Sequence, residues 1–561
     1  MNFRHIGDIA DLVWPWLRRY WWTGPLLVFI CNLFIDIMEV DASQYAMISM
    51  EMLQTGSYLQ VYEQGYDYLD KPPLLFWLSS ASMAVFGVNN FAYKFPSFLF
   101  ALLAIFSTYK FAMVYYSRQT SLLAALVLAT SQAMFMITND VRTDTILMGA
   151  TAFSFWRIAV YLRKRTINNL LLISIGIGAG MLVKGPVALV YPVLAFGFEF
   201  LSKRQWKNIL NPHWLIAAAG IAVILLPMCY GLYMQFDMHP DKIVYDLKGP
   251  SGLRFYFWTQ SFGRITGEIY WKNNAGFLFF VQSILWDFQP WVLFLIPALA
   301  HRLFRLIRQG ITASPENITL GGFCLMFFAF SLSSYKLPHY IFILFPAAAV
   351  MTADFMVRAS ERFLKPLSYL HLATMTILYV LMVTGLLWFF PFKNGAVNWV
   401  FTLLVFGCYI GLITLWRFLQ GSGRRIITAA AVTAVLFNLF MALHFYPNLL
   451  KYQAPANAAR YLISQKADVK SVCKYEARSS AMDFYFGNII PNLNPEDILP
   501  KAGTHFWIYT DEICRQDLLD KGLKPLQEVV FKGYSVSLVS LPFLDPSTRE
   551  SRLKRYYLLL I

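Results

Sequence analysis

An acid at the mouth of an apolar run and a lysine held by two prolines are the first residues in this chain whose setting suits chemistry. Asp41 follows the run in Ile37-Met-Glu-Val-Asp-Ala-Ser-Gln-Tyr45, and Lys71 stands in Tyr68-Leu-Asp-Lys-Pro-Pro73. A carboxylate so placed takes a proton from an attacking hydroxyl. A lysine ammonium holds a phosphate leaving group as a point charge. Such residues can also form a solvated interfacial charge set; that reading suits Asp36 and Glu39, whereas Asp41 and Lys71 are assigned to function. A second short polar stretch, Asn139-Asp-Val-Arg-Thr-Asp144, puts three charges between two apolar runs, with little room to point anywhere but at a shared cavity. Asp144 is read as the pocket residue, Arg142 as an ion-pair partner, and Asp140 as a pocket acid or a helix N-cap.

Arg254 and Arg264 lie ten residues apart in Leu253-Arg-Phe-Tyr-Phe-Trp-Thr-Gln-Ser-Phe-Gly-Arg264. Arginine forks match phosphate oxygens, and aromatics settle at head-group level. The stretch therefore suits an anionic lipid head group or an aromatic belt with snorkelling arginines, and composition does not separate the two. A further stretch, Ser331-Leu-Ser-Ser-Tyr-Lys336-Leu-Pro-His-Tyr340, again fixes a lysine close to a proline. His339 has no second ligand at metal spacing, so no metal is assigned. There is no Walker loop, no GxSxG elbow and no GxGxxG after a strand, which leaves nucleotide-driven pumping and serine hydrolysis without support.

Only long apolar elements can hold these stretches on one face. Of 561 residues 57% are hydrophobic, 17% aromatic and 14% charged, with mean hydropathy +0.49, against about 25% charged in a globular chain. That excess must face lipid. It excludes intrinsic disorder, and six cysteines exclude a disulfide scaffold. Apolar runs from 22–39 to 426–446, among them 120–138 and 277–300, predict an all-α membrane protein of about thirteen transmembrane helices. Leu74–Val88 is read as a helix lying in the interface, because a crossing there would invert every later loop. The basic clusters then share one side, which puts the N-terminus in the cytoplasm. Nineteen Lys and Arg against Asp8, Asp11, Glu316 and Glu361 in the cytoplasmic parts account for the whole net charge of +15. The basic balance is thus a topology signal, with no nucleic-acid partner implied.

The transmembrane part covers 1–446, with periplasmic loops at 40–90 and 235–276. Residues 447–561 read as a small α/β domain on the outer side: helix Ala454–Ser464, a strand near Val472, strand His505–Thr510, helix Asp511–Lys521 and strands around Glu528–Leu541. Cys473 and Cys514 fall in it, and both a disulfide and two free thiols are open there.

Together Asp41-Ala-Ser-Gln-Tyr45, Tyr68-Leu-Asp-Lys-Pro-Pro-Leu-Leu-Phe-Trp77, Arg142-Thr-Asp144 and Lys336-Leu-Pro-His-Tyr340 resemble the GT-C glycosyltransferases. Within these, they are similar to the aminoarabinose lipid A transferases and protein O-mannosyltransferases, over about residues 20–450. The resemblance implies sugar transfer from a polyprenyl-phosphate donor, without nucleotide, cofactor or metal, at the bacterial inner membrane. The acceptor would be a lipid such as lipid A, a protein or a glycan. It implies Asp41 at the catalytic centre with Asp144 in the same cavity, and Lys71 and Arg264 on the donor phosphate with Lys336 and Tyr340 close by. Tyr45, Tyr68, Arg142 and Arg254 would line the acceptor side. Attack opposite the phosphate would invert the sugar; Asp41 would serve as base for a hydroxyl acceptor and would orient a phosphate acceptor. The chain departs from the aminoarabinose transferases, which show Asp-Glu-x-Arg-Tyr at 41–45 and Glu-His-x-Gln-Arg at 260–264; here the latter is Gln260-Ser-Phe-Gly-Arg264. A flippase for a lipid-linked sugar is the alternative, and a non-catalytic scaffold comes third.

Overall fold

The computed structural model describes residue 15 and residues 19–266, 268, 273 and 275–561. Polar residues between the apolar runs start the helices. Asn89 accepts from the Ala92 N–H at the head of Asn90–Tyr115, Ser117 from Thr120 at Arg118–Ala129, and Thr166 from Asn169 at Ile167–Lys184. Among the described residues eight helices are long and apolar enough to cross a membrane, nine with a bent pair counted as one span. Shorter apolar helices, including Thr23–Asn32 and Leu74–Phe86, accompany them. Each of the thirteen predicted runs contains helix, but several are too short or too broken to count as continuous crossings.

Two predicted spans are interrupted. The run 120–138 is Arg118–Ala129 followed by Gln132–Asn139, bent by 50°. The run 277–300 is Phe279–Asp287 followed by Val292–Arg308, and Pro290 between them has no N–H to continue a ladder. The two breaks satisfy each other. Trp291 Nε1 donates to Thr130 Oγ1 at 2.9 Å, and the Gln132 N–H donates to the Gln289 carbonyl at 2.8 Å. Open backbone inside an apolar layer persists only where protein supplies such partners.

Small residues set the helix spacing. A Cβ on Gly149 would lie 2.4 Å from the Phe100 carbonyl oxygen, and one on Gly180 2.6 Å from Ala188 Cβ. Asn90–Tyr115, Thr143–Arg163, Ile167–Lys184 and Val187–Ser202 therefore pack at distances only glycine allows, which is how membrane helices gain dispersion contact.

Residues 454–561 carry a four-stranded sheet in the order Val472–Lys474, Trp507–Asp511, Lys554–Leu560, Gln527–Gly533. The first pair is parallel and the others antiparallel. Helix Ala454–Ser464 stands where predicted. The expected strands through 541 reduce to one ending at Gly533, and the two interior strands of the sheet are Trp507–Asp511 and the terminal Lys554–Leu560. Cys473 and Cys514 are both free thiols.

This sheet is tied to the first loop. Arg460 pairs with Asp36 at 2.6 Å, Ser479 Oγ donates to Glu39 at 2.8 Å, and Gln64 Nε2 reaches Asp483 at 2.5 Å. Asp36 and Glu39 are thus structural anchors. Lys474 and Asp483 form a fully buried ion pair at 2.7 Å. Removing one partner of such a pair leaves a desolvated charge. Lys474→Met is expected to destabilise by about 3–5 kcal/mol, read as a lower melting temperature of the purified protein; an unchanged melting temperature would refute the role of the pair.

Candidate functional site

Asp41 sits in the first turn of Asp41–Thr55, where a carboxylate complements the helix dipole. Its Oδ2 is 2.5 Å from Arg142 Nη1, and Arg142 Nε donates to Asp140 Oδ2 at 2.8 Å. Residues 101 apart in sequence therefore share one guanidinium. Burial pushes the Asp140 carboxyl up, with Arg142 opposing. Burial works against the Arg142 charge as well, yet Asp140 and Asp41 hold it above its ordinary value, so it is a permanent cation. Arg142, not Asp140, occupies the N-cap position of Thr143–Arg163, and Asp140 acts as an ion-pair partner rather than a cap. The Asp41 side chain is 37% exposed against 17% for Arg142, so Asp41 is the end of the triad a substrate can reach.

Lys71, Lys184 and Tyr340 line one cavity of about 140 Å³ whose other walls include Leu147, Val187, Val190 and Phe330. Lys71 Nζ is 2.5 Å from Asp70 Oδ2, and Gln260 donates to Asp70 Oδ1 at 2.8 Å. Lys184 ends Ile167–Lys184; its Nζ is 2.5 Å from Asp144 Oδ1 and 4.4 Å from the Tyr340 ring centroid. His339 Nε2 lies 3.7 Å from the other Asp144 oxygen. Gly185, with φ +79°, lets the chain turn directly after the lysine. The product is a cavity lined by two lysines together with aliphatic and aromatic side chains, a mixture that suits an anionic head on an apolar chain.

Lys184 and Gln260 were not anticipated as site residues. A signal for Lys184 exists: Lys184-Gly-Pro186 repeats the lysine-near-proline arrangement of Lys71-Pro72 and Lys336-Leu-Pro338. Other expected residues lie differently. Tyr45 and Tyr68 are buried with their rings each 5.9 Å from Phe76, beside the Asp41 and Lys71 segments. Lys336 is buried and donates from Nζ to the Ala275 carbonyl at 2.9 Å, and it is not among the cavity-lining residues although Tyr340 is. Arg254 is 71% exposed, 3.7 Å from Glu268, and outside the cavity. The Arg264 side chain lies outside the described residues; its backbone belongs to Gly263–Thr266.

Comparison with known proteins places this geometry. Residues 70–230 match the family model described as dolichyl-phosphate-mannose-protein mannosyltransferase. The undecaprenyl phosphate-alpha-4-amino-4-deoxy-L-arabinose arabinosyl transferase of Photorhabdus laumondii is 23% identical over 488 residues, covering 82% of this chain and 84% of that one. Transferase 2 of the same description from Proteus mirabilis is 24% identical, with 66% of each chain covered. The Edwardsiella ictaluri transferase is 26% identical over 57% of this chain and 56% of its own length, so the alignments span between about half and five sixths of these relatives. In structure, ArnT from Cupriavidus metallidurans bound to undecaprenyl phosphate superposes with a TM-score of 0.73 at 17% identity, covering 97% of this chain and 98% of that one; its apo form gives 0.69. The chain is thus similar in sequence to these arabinosyl transferases over part of their length, and it has the fold of ArnT.

Proposed function

We propose that this multi-pass protein is an integral-membrane glycosyltransferase that moves a sugar from a polyprenyl-phosphate donor to an envelope acceptor (lipid A, protein or glycan) on the periplasmic face of the inner membrane, with inversion. The observation that carries it is the cavity in which Lys71, Lys184 and Tyr340 face apolar walls. Lysines there neutralise the phosphate, and the apolar side accepts the first isoprene units. As the bond from the anomeric carbon to the phosphate oxygen breaks, its electrons pass to the phosphate, and the ammonium groups stabilise that growing charge. A hydroxyl acceptor gives its proton to Asp41, which Arg142 and Asp140 hold in place. A phosphate acceptor needs only orientation. Arg264, Lys336, Tyr45, Tyr68 and Arg254 keep their proposed supporting roles around donor and acceptor.

The concentration of Lys and Arg in loops that share one side supports a cytoplasmic N-terminus, and with it a periplasmic α/β domain at 447–561 over the transmembrane domain 1–446. A flippase is not favoured, since the sequence relatives are named as transferases. The test is transfer of radiolabelled sugar from undecaprenyl phosphate by the purified protein in liposomes: a covalent product is expected, and sugar movement with no product would overturn the reading. Lys184→Met removes one of the two cations among the described residues lining the cavity and is expected to weaken undecaprenyl phosphate binding about tenfold or more, measured by titration of the detergent-solubilised protein; unchanged affinity would remove Lys184 from the donor site.

A further inference from the structure

A second, larger cavity of about 1120 Å³ lies between the first loop and the C-terminal sheet. Its walls are unlike those of the lysine-lined cavity. Tyr66 and Tyr245 enter from the loops, and Tyr509, Tyr534 and Tyr556 from the sheet side. Tyrosine offers a flat apolar face and a hydroxyl at its edge, the pairing needed to pack a sugar ring's C–H face and bond its hydroxyls. Tyr509 and Tyr556 stack at 5.9 Å with planes 8° apart at the floor. The Tyr509 hydroxyl is buried and has no hydrogen-bond partner among the described residues, a state that a bound polyol relieves.

Charge narrows the class. Five carboxylates line the cleft, on Glu39, Glu63, Asp67, Glu476 and Asp511. Three cations face them, on Arg478, Arg552 and Lys554. A doubly phosphorylated sugar head would meet a surplus of like charge. Uncharged or amino-bearing sugars would meet these carboxylates as hydrogen-bond acceptors. The cleft also adjoins the catalytic turn: Val40 and Ser43, on either side of Asp41, line it. Its far wall is fixed to the first loop by Arg460–Asp36 and Ser479–Glu39, so the two halves form one surface.

We infer that this cleft binds an oligosaccharide of neutral or amino sugars, and that this glycan is the acceptor whose end is presented to Asp41. The inference rests on the transferase reading for its acceptor role, but the binding site stands on its own walls. The experiment is saturation-transfer NMR on the full-length protein in nanodiscs with three probes, maltotriose, chitotriose and the glucosamine trimer, and with glucosamine disaccharide 1,4′-bisphosphate as the charged comparator. At least one trisaccharide is expected to bind in preference to the bisphosphate. Its affinity is expected to fall about three- to tenfold in Tyr509→Phe, which deletes only the hydroxyl, or in Tyr66→Ala, at an exposed rim position. No binding by any trisaccharide, equal binding in both variants, or preference for the bisphosphate would overturn it. Undecaprenyl phosphate binding is measured on the same samples. Its loss without loss of the saccharide would count against the donor reading alone, and the reverse against the cleft alone.

Discussion

Lys71→Ala is expected to lower kcat/KM for transfer from undecaprenyl-phosphate sugar by about a hundredfold to a thousandfold, while the protein keeps its melting temperature. Two effects add. The variant loses the ammonium proposed to meet the phosphate charge as the anomeric bond breaks. It also releases Asp70, whose carboxylate is 2.5 Å from Lys71 in the resting protein and is held in place by Gln260. An unneutralised carboxylate at the proposed phosphate site would repel the donor. The double variant Asp70→Asn/Lys71→Ala is therefore expected to recover about tenfold over the single one, because it removes the repulsion without restoring the attraction. Lys71→Arg keeps the charge but replaces a compact ammonium with a planar fork. Full activity in Lys71→Ala would overturn the assignment.

What could be read from sequence, and what could not, follows the range of the interactions. Apolar runs and the charges between them are local features, so the helices and the outer polar stretches were visible. The meeting of Asp41 with Arg142 was half visible: each lay in a short polar loop on the same face, but which carboxylate the arginine would choose depends on the packing of Asn90–Tyr115 against Thr143–Arg163. The breaks at Thr130 and at Pro290 were hidden because each is stable only through the other, by Trp291 on Thr130 and Gln132 on Gln289. No single window of sequence contains both. Lys184 closes an apolar run and reads as a boundary charge; only the fold brings Asp144 and the Tyr340 ring to it. The terminal strand Lys554–Leu560 ends in Tyr-Tyr-Leu-Leu-Leu, a continuous apolar run with no alternation, which is the pattern of a strand paired on both sides and covered on both faces. The wide cleft had no linear signature, since its tyrosines come from segments as far apart as 66 and 556.

Asp41→Asn changes one oxygen to an amide and leaves the shape of the first turn intact. Arg142 keeps its bond to Asp140, so the loop at 139–144 has no new unpaired charge. The variant is therefore expected to bind undecaprenyl phosphate as the wild type does and to turn over about a hundredfold to ten-thousandfold more slowly, with the loss in kcat rather than in donor affinity. Asp140→Asn provides the contrast. It removes the other partner of Arg142 but leaves Asp41 paired at 2.5 Å, so the proposed base stays and only its support weakens. A loss of about tenfold or less is expected there. Radiolabelled transfer in single-turnover mode separates the two, because it reads the chemical step without product release. Equal turnover in wild type and Asp41→Asn would remove Asp41 from the chemistry. A deeper loss in Asp140→Asn than in Asp41→Asn would move the catalytic role to the buried end of the triad, which the exposures of 37% for Asp41 and 17% for Asp140 argue against, since an acceptor hydroxyl must reach the group that takes its proton.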